Sequence, residues 1–207
     1  MTNSLIIDLF QVAVLIYSVV LHELAHGLMA RSLGDRTAED MGRLTLNPIK
    51  HLDLFGSVIL PILSRITTGF MFGYAKPVPY NPANLTDQTY GPSKVALAGP
   101  GVNILLAVGA GLVVRFGGPF MGKTALELVG YIVWINLVLA VFNLMPVPPL
   151  DGHWLLMTFL PERWHGLKVA LYRYQWVLLI IFLFFVFPLF FPLLSGLFTL
   201  LTGINLF

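Results

Sequence analysis

The sequence predicts an all-α polytopic membrane protein, because it is too apolar for a soluble domain and its apolar residues lie in long runs. Of the 207 residues, 57% are hydrophobic and 11% are charged, whereas a soluble domain carries about 25% charged residues. The mean hydropathy is +0.83. We expect a single membrane-embedded domain over residues 1–207, with a core at 5–160 and a C-terminal transmembrane region at 174–207.

A helix needs about 20 mostly apolar residues to cross a bilayer, and three runs satisfy this clearly: Leu5–Ala30, Lys94–Phe116 and Ala125–Leu144. No basic segment or cleavage site precedes the first run, so we expect a retained span and not a signal peptide. Leu54–Phe72 is apolar but contains Pro61 and Arg65. It is either a re-entrant or membrane-dipping segment or a kinked full span. Tyr174–Phe207 is apolar enough to cross once or twice.

The segment His22-Glu23-Leu24-Ala25-His26 lies at the end of the first apolar run. Residues four apart project from one face of a helix, so His22 and His26 can bind one ion. Glu23 is then placed to take a proton from a metal-bound water, as in the H-E-x-x-H motif of zinc metallohydrolases. Ionisable groups at membrane depth cost roughly 2.5–3.5 kcal/mol each, which favours a functional reason for them. A buried His–Glu hydrogen-bonding cluster without a metal is the alternative.

A catalytic zinc site takes three protein ligands and one water. The chain has no cysteine, so the ligands of one Zn²⁺ per chain must be His and carboxylate. Asp151 is the best third ligand, because it follows a proline-stiffened segment that can turn back into the membrane; its alternative role is a helix N-cap. Glu127 is a weaker candidate, since it lies at the opposite end of its helix. His153 is either a partner of the site or a loop residue.

The basic residues support a topology that places Asp151 on the same side as the two histidines, provided that Leu54–Phe72 does not cross. One side then carries only Arg115 and Lys123. The other side is expected to be cytoplasmic, with an external N-terminus in the cell membrane, and it carries ten basic residues: Arg31, Arg36, Arg43, Lys50, Arg65, Lys76, Lys94, Arg163, Lys168 and Arg173. The sequence contains no basic stripe interleaved with exposed aromatic residues, so it does not indicate a nucleic-acid partner.

In three separated elements the chain resembles the site-2 protease family of intramembrane zinc metalloproteases, in a small form without a PDZ-like insertion. The elements are His22–Gly27, Ala98-Gly99-Pro100-Gly101-Val102-Asn103 and Asn143-Leu144-Met145-Pro146-Val147-Pro148-Pro149-Leu150-Asp151-Gly152. The segment Gly73-Tyr74-Ala75-Lys76-Pro77-Val78 is also similar to one in small bacterial members. The resemblance implies a core of three transmembrane helices, a re-entrant or dipping segment and a C-terminal apolar helix region.

The resemblance also implies a mechanism and a partner. Zinc would be held by His22, His26 and Asp151, Glu23 would be the general base, and the substrates would be transmembrane segments of other proteins in the lipid bilayer. Asn103 and Asn143 are suited to hold extended substrate backbone or the developing oxyanion. Their alternative role is an interhelical hydrogen bond, worth about 0.6–2 kcal/mol.

Two rival interpretations stay open. A non-hydrolytic metal-binding membrane protein or transporter also places His and Asp at membrane depth. Transporters, however, usually lack a Glu directly after the first His ligand and often contain inverted repeats, which the sequence does not show. A catalytically inactive family member that acts as a scaffold is the second rival, and the intact His22, Glu23, His26 and Asp151 argue against it.

Overall fold

The computed structural model describes residues 2–53, 56, 59, 66 and 76–205 of the chain. All regular secondary structure in these ranges is helical. Four helical runs are long and apolar enough to cross a membrane: Ile6–Ser32, Gly91–Phe120, Lys123–Asn143 and Gln175–Thr202. The prediction of an all-α polytopic membrane protein is therefore confirmed. The predicted re-entrant segment Leu54–Phe72 lies outside the described residues, apart from three isolated positions.

The described helices follow the predicted apolar runs closely. We number them in chain order: α1 Thr2–Ser32, α2 Thr37–Asp40, α3 Gly91–Gly117, α4 Lys123–Asn143, α5 Gly152–Phe159, α6 His165–Arg173, α7 Gln175–Ile181 and α8 Phe191–Thr202. Short 3₁₀ turns lie at Pro48–His51, Pro82–Asn84, Gly118–Phe120 and Glu162–Trp164. A π-helical turn, Phe182–Val186, and a 3₁₀ turn, Phe187–Phe190, join α7 to α8.

α3 is the central helix of the bundle and packs extensively against both α1 and α4. Small residues on α3 allow this close approach, because they leave room for the neighbouring helices. The main apolar core lies between α3, α4 and the C-terminal helices, and its buried members are Ala107, Val133, Leu137, Leu150, Phe182, Phe187, Leu194 and Phe198. A smaller cluster of Ala30, Leu85 and Val95 joins the end of α1 to the start of α3.

The C-terminal region forms one continuous helical run of 28 residues from Gln175 to Thr202. At a rise of about 1.5 Å per residue this run is long enough for a single crossing. Pro188 and Pro192 each lie in the first turn of a new helical segment within this run, where the hydrogen-bonding pattern changes and a residue without an N–H is tolerated. Gly203 ends the run with φ of 76°, a left-handed cap that glycine adopts without strain.

Candidate active site

The structure brings the three predicted metal ligands together at the contact between α1 and the start of α5. His22 Nε2 lies 3.0 Å from Asp151 Oδ2, and His26 Nε2 lies 3.3 Å from the same oxygen. The two Nε2 atoms are 3.0 Å apart. Both histidines are buried, at 6% and 8% exposure. The ligand atoms therefore converge on one point, although they come from positions about 125 residues apart in the sequence.

Each imidazole is oriented by a hydrogen bond at its other nitrogen. His26 Nδ1 donates to the Val95 carbonyl oxygen at 2.7 Å, and His22 Nδ1 pairs with Asn103 Oδ1 at 2.6 Å. A carbonyl oxygen can only accept, so both Nδ1 atoms carry the proton. Neutral rings in this tautomer present an unprotonated Nε2, which is the form that binds a metal.

A buried chain of amides fixes the orientation of Asn103. Asn103 Nδ2 donates to Asn136 Oδ1 at 2.8 Å and to the Ser18 carbonyl at 3.4 Å. Asn136 Nδ2 in turn donates to Ser18 Oγ at 3.0 Å and to its own helix. Because both asparagines are 0% exposed, Asn103 faces His22 and not solvent. Asn103 therefore makes the interhelical hydrogen bond that was its alternative role, and its role towards a substrate stays a prediction.

Gly99 provides the space in which the two imidazole rings lie. A Cβ atom at this position would overlap the His26 ring and would come within 2.7 Å of His22 Cε1. Only glycine therefore lets α3 pass this close to the ligands. Gly99 lies four residues after Val95 and four before Asn103, so all three occupy one face of α3.

Asp151 reaches the site through the tight connection between α4 and α5. Gly152 permits that connection, because a Cβ there would collide with the carbonyl groups of Leu144 and Met145. Asp151 occupies the N-cap position of α5, but its side chain makes no capping hydrogen bond. The geometry therefore leaves the carboxylate available to the histidines and does not support the N-cap role.

A cation bound between the three converging atoms explains their positions better than direct contact among them does. Both Nε2 atoms bear lone pairs, and Asp151 Oδ2 is a buried acceptor for which no hydrogen-bond donor lies in the described part of the chain. Three acceptors within about 3 Å of one another repel unless a positive charge lies between them. Two imidazole nitrogens and one carboxylate oxygen are the donor set of catalytic zinc sites.

Glu23 is held beside this group by an extended segment, Lys76–Tyr80. The Val78 backbone N–H donates to Glu23 Oε2 at 2.7 Å. Arg43, which is 6% exposed, donates to the Lys76 and Pro77 carbonyl oxygens and holds the segment in place. Gly27 lets the segment approach α1, since a Cβ at Gly27 would come within 2.8 Å of Val78 Cγ1.

A cavity of about 170 Å³ opens beside His26, Asp151 and Glu23. Its lining residues are Glu23, His26, Pro77, Val78, Tyr80, Val95, Ala96, Asp151 and Trp154. The Tyr80 hydroxyl is buried and has no hydrogen-bond partner among the described residues, which costs roughly 1–3 kcal/mol if nothing else satisfies it. Burial, Tyr172 and the charge of Asp151 raise the pKa of Tyr80 above its usual value, so the phenol stays protonated.

Asp35 anchors the residues that follow the extended segment. The side chain is 1% exposed and accepts hydrogen bonds from the Thr37 hydroxyl, the Asn81 backbone N–H and the Asn84 amide. Burial raises the pKa of Asp35, but these hydrogen bonds outweigh burial and hold the pKa below its usual value. Asp35 thus joins the end of α1 to residues 81–84.

The remaining candidates lie away from the cavity. The Asn143 amide donates to the Leu139 carbonyl of its own helix at 3.0 Å, so its role towards a substrate stays a prediction. Glu127 is 58% exposed and pairs with Lys123. His153 is buried in the first turn of α5, where Nδ1 donates to the Leu150 carbonyl. His153 is therefore a helix residue whose side chain bonds to the backbone just before that helix.

Sequence reasoning missed Ser18, Asn136 and Tyr80. The sequence could have indicated Asn136, because an amide in the middle of an apolar span needs a hydrogen-bond partner; that partner is Asn103. No feature of the sequence indicated Ser18 or Tyr80. Serine is tolerated at many helix contacts, and Tyr80 lies in a proline-rich stretch whose path the sequence does not specify.

Comparisons with known proteins agree with this chemistry. Residues 110–188 match peptidase family M50. The "Putative zinc metalloprotease YwhC" of Bacillus subtilis (strain 168) is 40% identical over 159 residues, which are 73% of this chain and 69% of that protein. The proteins named "Putative zinc metalloprotease Rip2" are 32% identical over 83% of this chain in Mycolicibacterium smegmatis and 30% identical over 80% in Mycobacterium tuberculosis (H37Rv). The aligned regions cover 64% and 63% of those two relatives. No solved structure matches the chain.

Proposed function

Since the chain belongs to peptidase family M50, which confirms the resemblance to site-2 proteases, we propose that this zinc metalloprotease cleaves transmembrane segments of other membrane proteins. The single observation that carries the proposal is the convergence of two Nε2 atoms and one carboxylate oxygen next to a glutamate. That group lies against helices long and apolar enough to span a bilayer. The peptide bond to be cut would therefore be reached at membrane depth.

In this proposal His22, His26 and Asp151 hold Zn²⁺ through Nε2, Nε2 and Oδ2. When bound, the metal supplies a Lewis acid that polarises a carbonyl and lowers the pKa of water towards about 7. Asn103 and the Val95 carbonyl keep both rings in the tautomer that binds, because they occupy both Nδ1 protons. Asn103 is accordingly a positioning residue in the proposed mechanism.

Glu23 is the proposed general base. The Val78 N–H holds Oε2, whereas no hydrogen bond from the described residues engages Oε1. Oε1 is therefore the atom that takes a proton from the attacking water. The same oxygen can return the proton to the amine nitrogen that leaves, so one carboxylate serves both halves of peptide hydrolysis. The Val78 hydrogen bond keeps the carboxylate directed at the cavity throughout.

The substrate of the proposal is a locally unwound helix. A transmembrane helix hides its carbonyl groups in intrahelical hydrogen bonds, so the scissile region must become extended before water can attack. The cavity beside Glu23 is bordered by an extended segment, Lys76–Tyr80, and by Val95 and Ala96 of α3. Unwound substrate backbone entering this cavity would lie next to polypeptide that is itself extended.

The membrane placement of the site follows from charge. The predicted topology assigns ten basic residues to the side of the two histidines and two to the other side, and such an excess faces the cytoplasm. We therefore propose a cell-membrane protein with an external N-terminus and a catalytic site near the cytoplasmic face. The whole chain, residues 1–207, would act as one domain.

The test of the proposed function is Glu23→Gln, measured on purified protein with a reporter transmembrane segment. We expect the variant to retain one zinc per chain and to lose cleavage by at least about 100-fold, because glutamine cannot accept the proton. Glu127→Gln is the matched control and should cleave normally, since Glu127 is exposed, pairs with Lys123 at the surface and does not line the cavity. Undiminished cleavage by Glu23→Gln would reject the mechanism, and loss of zinc from that variant would make Glu23 a ligand.

A further inference from the structure

The Tyr80 hydroxyl is a donor without a partner at the edge of the catalytic cavity. Its oxygen is buried, and none of the described residues accepts a hydrogen bond from it. The ring is fixed in place, because it packs edge-on against Trp154 with centroids 6.3 Å apart. It also contacts the cluster of Ala30, Leu85 and Val95. The hydroxyl therefore cannot swing far to find another acceptor.

The groups around the cavity are otherwise rich in acceptors. Glu23 and Asp151 present carboxylate oxygens, and His26 presents an unprotonated Nε2, since its Nδ1 proton is given to Val95. The Val78 N–H is already used by Glu23. In the proposed function the metal would take the Asp151 oxygen and His26 Nε2 and would polarise the peptide carbonyl. Besides His26, two cavity side chains carry a neutral donor group, Tyr80 and Trp154, and only Tyr80 has a polar atom that is buried without an acceptor among the described residues.

We propose that the Tyr80 hydroxyl donates a hydrogen bond to the carbonyl oxygen of the scissile peptide bond. The bond strengthens as that oxygen gains negative charge during attack by water, so it contributes more to the transition state than to substrate binding. This proposal rests on the proposed function. It makes Tyr80 a catalytic residue, because its hydroxyl touches a reacting atom.

The test is Tyr80→Phe, which removes one oxygen and keeps the ring that packs against Trp154. We expect kcat for the reporter segment to fall about 10- to 100-fold, at or below the lower end of the roughly 100- to 1,000-fold loss found when an oxyanion donor is removed, because the metal would also stabilise this oxygen. KM, zinc content and thermal midpoint should stay close to wild type. Tyr131→Phe is the matched control, since Tyr131 lies on α4 and does not line the cavity; it should cleave normally.

A binding experiment separates a transition-state role from simple affinity. In the Glu23→Gln background, which should bind the reporter segment without cutting it, adding Tyr80→Phe should change the dissociation constant by no more than about twofold. Wild-type kcat in Tyr80→Phe would overturn the proposal. So would a rise in KM at unchanged kcat, or loss of zinc together with a lower thermal midpoint. If Glu23→Gln is inactive but Tyr80→Phe is fully active, only this inference fails and the proposed function stands.

Discussion

At the scale of single residues, one face of α3 determines how both histidines are presented. Val95, Gly99 and Asn103 follow each other at intervals of four residues. Val95 contacts His26 and Asn103 contacts His22, so the order reverses between α1 and α3, as expected for antiparallel neighbours. The Val95 carbonyl and the Asn103 amide therefore orient the two rings, and the missing side chain of Gly99 leaves room for them.

Gly99→Ala should weaken zinc binding by at least about 10- to 100-fold, the range for loss of a group that orients a ligand. The new Cβ would overlap the His26 ring and press on His22, and neither ring can rotate away without losing its Nδ1 partner. Competition with a chelator would measure the affinity. Gly101→Ala is the control, because a Cβ there meets nothing within 4 Å. Equal affinities for the two variants would contradict the packing argument.

Asn136→Leu should reduce zinc affinity by about tenfold, although Asn136 touches no ligand. Removing its amide leaves Asn103 without the acceptor at 2.8 Å that fixes its orientation, and His22 then loses a firmly held partner. Asn143→Leu is the control, since the Asn143 amide donates to the Leu139 carbonyl of its own helix and is not part of the chain from Asn136 to Asn103. Chelator competition on both proteins would decide; unchanged zinc affinity in Asn136→Leu would show that the amide chain is only a structural bond.

The residue-level prediction was strongest where spacing alone determines geometry. Two histidines four residues apart on a helix must share a face, so their grouping could be predicted, and the search for a third ligand led to Asp151. The direction in which Asn103 faces could not be predicted. It depends on which neighbour α3 packs against, and the sequence does not say that Asn103 and Asn136 lie at the same depth.

At the scale of elements, side chains rather than a sheet hold the segment that carries Val78 and Tyr80. Arg43 donates hydrogen bonds to two carbonyl groups of this segment. Asp35 accepts hydrogen bonds from the residues that follow it. The helices could be predicted to within a few residues, because apolar runs of this length have one stable form in a bilayer. The path of residues 76–85 could not, since it depends on these scattered polar contacts.

Asp35→Ala should lower the thermal midpoint at pH 7 and reduce cleavage, because residues 81–84 lose their anchor and Val78 then holds Glu23 less firmly. The pKa of Asp35 in the folded protein lies below its usual value. The ionised side chain therefore stabilises the fold fully when the pH is above that usual value. This stabilisation is lost as the pH falls through the lowered folded pKa. The difference from wild type should therefore shrink in acid below about pH 4.

Thermal denaturation in detergent across this pH range measures the effect. Asp40→Ala is the control, because Asp40 is exposed and lies five residues further along the chain. A difference between Asp35→Ala and wild type that persists unchanged in acid would mean that the carboxylate charge of Asp35 does not carry the stabilisation.

At the scale of the whole molecule, the proposed metal site requires His22 and Asp151 to lie at the same depth. Their contact fulfils that requirement. The described flanks of the predicted re-entrant segment also meet, because the Lys76 backbone N–H donates to the His51 carbonyl at 2.9 Å. The chain therefore departs at His51 and returns at Lys76 on one side of the bundle. That is the condition under which the ligand pairing and the positive-inside bias agree.

This topology predicts which sites face the cytoplasm, and the absence of cysteine from the chain makes single-cysteine labelling direct. Lys50, Gln88, Arg163 and Lys123 are all exposed, so cysteine at any of them is open to a membrane-impermeant maleimide. In intact cells we expect only Lys123→Cys to be labelled, whereas the other three should react after the membrane is opened. Labelling of Lys50→Cys and Gln88→Cys from opposite sides would mean that the chain crosses between them. The positive-inside assignment, and with it the cytoplasmic placement of the site, would then be wrong.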